Sequence, residues 1–174
     1  FSANIQGLQG AIIQMISHGV ISGALFFSIG SIYNRYKTKE ISFFNGLGNK
    51  MPKFSIFFLI FALGSIGFPG TSGFVGEYLT LMTVYSKNTL IAFLSATGVI
   101  LAASYMLLLY KRVFLGNVNA NIEKNSSDLN FFEFLTYIIF ILIIFIIGIK
   151  PNLILDYTST SLERIIELYP ISIF

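Results

Sequence analysis

Two side chains in this sequence can take up and release protons from within apolar segments: Glu77, and His18, the only histidine of the chain. Glu77 follows Lys53 by 24 residues and precedes Lys87 by 10. At ~1.5 Å of rise per helical residue, with several non-helical residues between, that sets it near the middle of a bilayer. His18 lies 17 residues before Arg35 and falls near the same level. A carboxyl at that depth costs on the order of 3 kcal/mol, so such groups face the protein interior and mark ion or proton paths. Histidine suits a relay, because an unperturbed pKa of ~6.5 lets a modest field move its proton. Gln14, His18 and Ser22 recur every four residues and form one polar stripe on a helix. The plainer readings are a neutral, hydrogen-bonded carboxyl at 77 and a packing imidazole at 18.

The stretch 68–78, FPGTSGFVGEY, sets Pro69, Gly70 and Gly73 beside that carboxylate, with Gly67 just ahead. Proline removes a backbone donor and clashes with the preceding turn, and glycine lets the chain leave helical dihedrals. The pattern predicts a spanning segment in two halves, broken at 67–73, and a simple proline kink is the alternative. Unpaired backbone in hydrocarbon is tolerated only where it is packed in protein or lines water. The second half-helix then presents its N-terminal amides near residues 71–74, about one turn before Glu77. Thr71, Ser72, Ser104 and bound water are candidate hydrogen-bonding links.

The elements that must hold these groups follow from composition. The chain is 55% hydrophobic and 11% charged, with its charges clustered, which is a membrane composition. Four apolar segments are long enough to cross a bilayer: A over 8–33, B over 54–85, C over 89–114 and D over 131–149. The expected fold is an all-α polytopic membrane protein of four transmembrane helices, one discontinuous, over residues 1–151, with an interfacial helix in the tail at 152–174. Basic residues give a direction. Eight (Arg35, Lys37, Lys39, Lys50, Lys53, Lys111, Arg112 and Lys124) fall in the A–B and C–D connections, and only Lys87, Lys150 and Arg164 at the opposite ends. That puts the two connections on the positive-inside face and the C-terminus outside.

Composition also excludes. Without cysteine the chain holds no disulfide, no thiolate-ligated zinc and no cysteine-ligated iron–sulfur cluster. One histidine makes a metal site within this chain improbable, and a net charge of +3 spread beside apolar runs is topology and not a nucleic-acid footprint. Gly19 and Gly23, and the row Ser95, Gly98, Ala102 and Tyr105, read as close-packing faces. Glu133 reads as a charge favoured by the helix start it occupies.

The run 7–19, GLQGAIIQMISHG, then Ser22-Gly23-Ala24-Leu25-Phe26, then Gly73-Phe74-Val75-Gly76-Glu77 and Leu109-Tyr110-Lys111-Arg112-Val113-Phe114, closely resembles the antiporter-like membrane subunits of proton-pumping NADH:quinone oxidoreductase, respiratory complex I, and among them subunit 4. The resemblance implies a subunit of fourteen helices with two inverted repeats, of which this chain supplies the last four. It implies mid-membrane proton transfer by His18 and Glu77. Related subunits 2 and 5, and cation/proton antiporter chains, usually carry lysine at the position of Glu77. NADH, FMN, iron–sulfur clusters and ubiquinone are then expected in partner subunits, with lipid and internal water as this chain's own company. Expected partners are subunits 2 and 5 and the N-terminal part of the same subunit, from a split gene or a longer chain. The expected location is the mitochondrial inner membrane or a bacterial plasma membrane. Two departures stand: Lys37-Thr38-Lys39 replaces a common His-Thr-Arg, and the lysines of the first repeat lie outside this sequence. A cation/proton antiporter subunit and a purely structural anchor are the rival functions.

Overall fold

The computed structural model describes residues 4–119, 122 and 127–168. Its architecture is helical: α1 (Ile5–Tyr36), α2 (Pro52–Ser65), α3 (Ser72–Lys87), α4 (Thr89–Phe114), α5 (Phe131–Ile149) and α6 (Asn152–Leu168), with two 3₁₀ turns at Ile41–Phe44 and Leu47–Asn49. Three of these helices, α1, α4 and α5, are long and apolar enough to cross a membrane, and α2 is a shorter apolar helix. The fold is that of a polytopic membrane protein.

Each helix boundary has a local cause. Asn4 caps α1 by accepting from the Gly7 amide at 2.7 Å, and Lys37 closes it in the left-handed conformation at φ 56°. Pro52 opens α2, where its missing N–H removes nothing the helix needs. Asn88 serves both α3 and α4: its backbone N–H returns to Val84 O, and its side chain accepts from the Ile91 amide at 3.1 Å. Asn130 and Glu133 form a reciprocal capping box at the start of α5.

The A–B and C–D connections meet at one end of the molecule. The Gly46 N–H donates to Leu115 O at 3.2 Å and the Asn119 N–H to Asn45 O at 3.2 Å, which joins the two loops by backbone hydrogen bonds. Asp128 accepts from the Lys53 amide at 3.0 Å and the Phe54 amide at 3.3 Å, and so caps α2 from across the molecule. Arg35 adds the strongest tie. Its guanidinium forks onto Glu133 at 2.7 and 2.5 Å and also donates to the backbone carbonyls of Ser31, Ser127 and Asp128. Glu133 is thus more than a favourable charge at a helix start: it is the fixed partner of a cation on α1, 98 positions away in sequence.

Beneath this cap lies an aromatic core built on α2. Phe54 and Phe61 are fully buried, and Phe57 and Phe58 nearly so, around Phe114 and the fully buried Tyr137. Tyr137 keeps its hydroxyl satisfied by donating to Ser31 Oγ at 3.1 Å, as a buried phenol requires. The Phe57-Phe58 pair is therefore packing bulk, whereas Phe26 and Phe27 of α1 are exposed. Farther along, α1 packs most extensively on α3, α5 packs on both, and α6 turns back at Pro151 to lie against α1.

Candidate functional site

The apolar segment 54–85 is two helices with six non-helical residues between Ser65 and Ser72. α2 ends in a full Schellman motif. Gly67 adopts φ 75°, its N–H bonds Gly64 O at 3.2 Å, and the Phe68 N–H reaches back to Leu63 O at 3.0 Å. That geometry satisfies the last carbonyls of α2 and needs a left-handed residue, which glycine supplies without steric penalty. Pro69 follows immediately, where the chain has already left the helix. Gly70 takes φ 93°, and the Thr71 N–H donates to Phe68 O at 3.0 Å, so the link is a compact turn. Helix resumes at Ser72, so Ser72 and Gly73, expected within the break, already belong to α3. No side chain caps α3, because the Thr71 hydroxyl donates to Phe68 O at 2.7 Å instead.

Glu77 sits one turn into α3 and is half-buried. Helical side chains lean toward the N-terminus, and this one leans back over the break: its carboxylate occupies the space that a β-carbon on Gly67 would fill. No hydrogen bond or ion pair joins that carboxylate to another described residue. Beside it opens a cleft of about 260 Å³ toward α4, lined in part by Thr80, Ser95, Gly98 and Ala102. The small-residue row on α4 therefore faces the carboxylate's cleft. A β-carbon on Gly98 would meet open space, so at that position the row is not a tight packing face among the described residues.

The polar stripe of α1 faces a second cleft, of about 230 Å³, shared with the break and with α4. Gln14, Ser17, His18 and Ser22 line it from α1, Ser65 and Gly73 from either side of the break, and Tyr105 from α4. Three pairs fix the α1–α3 register: Gly10 against Leu79 and Thr80, Gln14 against Gly76, and Ser17 against Ser72. In this antiparallel register His18 faces the break, while Gln14 is level with Glu77. The backbone positions of the two residues are thus offset by about five residues, roughly 7 Å of helical rise, but the Glu77 side chain leans back to Gly67 and so toward the break that His18 faces. The offset arises because the turn at 66–71 consumes chain with little rise before α3 begins.

Ser17, absent from the sequence reading, makes a close polar contact between α1 and the start of α3. Its hydroxyl donates to Ser72 Oγ at 2.6 Å, with both side chains fully buried. The stripe of every fourth residue from Gln14 passed it over, since it lies on the adjoining face. His18 itself is exposed in this chain, and Ser22 is half-buried with a long contact of 3.5 Å to Gly19 O. Ser104 is exposed, donates to Leu101 O at 2.8 Å, and lines neither cleft; its neighbour Tyr105 does. From the other side α5 closes on the break through Gly148, whose missing β-carbon makes room for Gly70 O and the Thr71 carbonyl carbon. Among the described residues no group of three or more His, Asp or Glu side chains is placed to hold a metal ion. What the arrangement offers is hydroxyls, a carboxamide, an imidazole and a carboxylate around hydratable clefts at interrupted backbone.

Comparisons with known proteins agree with this architecture. The family described as NADH:quinone oxidoreductase/Mrp antiporter, TM, matches residues 1–104. The chain is 42% identical to NADH-quinone oxidoreductase subunit M of Rhodobacter capsulatus over 97% of its own length and 33% of that protein. It is 42% identical to NADH-ubiquinone oxidoreductase chain 4 of Marchantia polymorpha, over 96% of this chain and 34% of that one. Subunit M of Rickettsia prowazekii is 45% identical, over 95% of this chain and 34% of the relative. The chain thus spans about a third of the length of the curated relatives it matches. Among solved structures, respiratory complex I from Thermus thermophilus with bound NADH contains a chain that superposes with a TM-score of 0.85 at 28% identity, covering 94% of this chain and 35% of that one. A helical membrane fold with a break at 66–71, and sequence identity carried along almost its whole length, together make this chain a member of the NADH:quinone oxidoreductase/Mrp antiporter transmembrane family, akin within it to subunit 4 (M) of NADH:quinone oxidoreductase.

Proposed function

We propose that this chain is the second-repeat part of a proton-translocating membrane-arm subunit of respiratory complex I, and that Glu77 and His18 carry protons through it. α2 and α3 together make the fourth, discontinuous crossing, beside α1, α4 and α5, and α6 lies at the membrane surface. The joined connections, with their eight basic residues, face the matrix or cytoplasm, which puts the C-terminus on the intermembrane-space or periplasmic side. The membrane is the mitochondrial inner membrane or, in a bacterium, the plasma membrane.

One observation carries this reading: the Glu77 carboxylate bears on the break itself, against Gly67, without a described partner. A structural carboxyl in an apolar segment would be expected to be hydrogen-bonded into the protein. This one faces a cleft and the end of a half-helix, where water and field changes reach it. His18, at the level of the break, passes the proton toward the rest of the subunit. NADH, FMN, iron–sulfur clusters and ubiquinone belong to partner subunits, and this chain contributes no redox group. Its neighbours are the remaining helices of the same subunit and the other membrane-arm subunits, 2 and 5 among them.

The test is Glu77→Gln in the assembled complex, reconstituted in vesicles. Loss of proton pumping with assembly intact supports the reading. Unchanged pumping and unchanged coupled NADH:quinone turnover overturn it.

A further inference from the structure

Where α1 ends, Lys37-Thr38-Lys39 brings two ammonium groups to one aromatic ring. Lys37 Nζ lies 5.9 Å and Lys39 Nζ 5.2 Å from the ring centroid of Tyr33. Both lysines are exposed, and among the described residues neither forms an ion pair. Glu40 follows directly and pairs with neither; its amide donates to the Thr38 hydroxyl at 3.3 Å and tightens the loop. The ring face attracts each ammonium weakly at an exposed site, while two like charges held on one ring repel. The result is a positive site without a matching anion.

A groove of about 310 Å³ opens beside it, between α1 and α4. Thr38 and Lys39 line its mouth, and Ile32, Phe44, Phe58 and Val113 form its buried floor. No acidic side chain lines it among the described residues. Ile29, at the far end, precedes the last residue of α1 by seven positions, roughly 10 Å of helical rise. Both flanking helices are of membrane length, and this end carries the basic connections. The groove therefore runs from headgroup level into the hydrocarbon, with its cations at the surface and its aliphatic walls below.

We propose that Lys37, Lys39 and this groove bind one anionic phospholipid, with its phosphate between the two ammonium groups and an acyl chain along Ile29, Phe58 and Leu109. Charge and depth select that occupant. Basic pockets between transmembrane helices at this face attract anionic headgroups. A zwitterionic lipid brings its own cation to the same place, and an apolar helix laid in the groove leaves both lysines unmatched. The Tyr33 ring holds the two long side chains near their bound positions, which reduces the rotamer freedom lost when the phosphate arrives. Neither Glu77 nor His18 lines this groove, so the inference stands apart from the proton path.

The experiment uses the assembled complex, checked by native electrophoresis and reconstituted in phosphatidylcholine vesicles doped with phosphatidylglycerol that carries a diazirine on its acyl chain. After photolysis, peptide mapping is expected to find adducts at Ile29, Phe58 or Leu109. Lys37→Gln and Lys39→Gln should each lower that labelling about five-fold, the factor that the attraction of one basic residue to an anionic membrane surface carries. Replacing both lysines by arginine keeps the charge and should keep the labelling. The same diazirine on phosphatidylcholine should label the wild-type groove no better than the anionic probe labels the double glutamine variant. An assembled complex without adducts in the groove means that another part of the protein fills it, and overturns the inference. Equal labelling by the two lipids, or labelling indifferent to both lysines, overturns it as well.

Discussion

The Glu77 carboxylate fills the place of the β-carbon that Gly67 lacks. The same glycine ends α2 in the left-handed conformation, so one residue both breaks the helix and seats the acid.

That double duty separates two substitutions. Gly67→Ala and Gly70→Ala both force a β-carbon onto a positive-φ residue, at about 1–2 kcal/mol each. Only at Gly67 does the new carbon meet the carboxylate; at Gly70 it meets nothing within 4 Å. Gly67→Ala should lower coupled turnover about ten-fold or more, equivalent to ~1.4 kcal/mol of barrier, and Gly70→Ala far less at similar thermal stability. Equal activities in proteoliposomes would show that the seat of the acid is immaterial.

The fork of Arg35 on Glu133 ties α1 to α5, and the same guanidinium holds the loop at Ser127 and Asp128. With each side chain only about one-seventh exposed, at 14% and 15%, water replaces the lost partner poorly. Arg35→Gln is expected to destabilise by about 1.5–3 kcal/mol, the range for hydrogen bonds to charged groups. The double variant with Glu133→Gln should be less destabilised than the sum of the two singles. Thermal unfolding of the detergent-solubilised complex, followed by loss of native mobility, reads both effects; strict additivity would mean the pair is uncoupled.

Ser17 and Ser72 bridge α1 and the start of α3 from full burial. Ser17→Ala removes the donor and leaves Ser72 Oγ without that partner, at about 1–3 kcal/mol. Replacing both serines by alanine should restore part of the loss, since no orphaned hydroxyl remains. A double-mutant cycle on thermal stability checks this, and a double variant worse than either single one contradicts it.

Gly148 lets α5 approach the break to the point where a β-carbon would overlap Gly70 O. The obstacle is backbone and cannot rotate away. Gly148→Ala should therefore destabilise by about 1–3 kcal/mol, as overpacking does, although alanine favours the helix by up to ~1 kcal/mol. A melting temperature equal to wild type would show that α5 shifts freely here.

Much of this was legible in the chain itself, for local reasons. Long apolar runs without charge announce membrane-length helices, and Gly67, Pro69 and Gly70 punctuate the backbone within a few residues of where they stand. The caps Asn4, Asn88 and Asn130, which the sequence analysis did not single out, also act locally, over three or four positions. The break closes earlier than the glycines suggested, because Gly73 serves packing against Gly64 O and not a departure from helix.

What the sequence determined, then, is whatever its residues impose on their neighbours: helix, cap, break, and the burial of an acid in an apolar segment. The tertiary structure alone decided who faces whom: Arg35 with Glu133, Ser17 with Ser72, Gln14 with Gly76, and the Glu77 carboxylate with Gly67. The reason is physical. Helices made for lipid are apolar on nearly every side, so no polar face advertises the contact surface, and their register is set by where glycine and serine let two backbones come close.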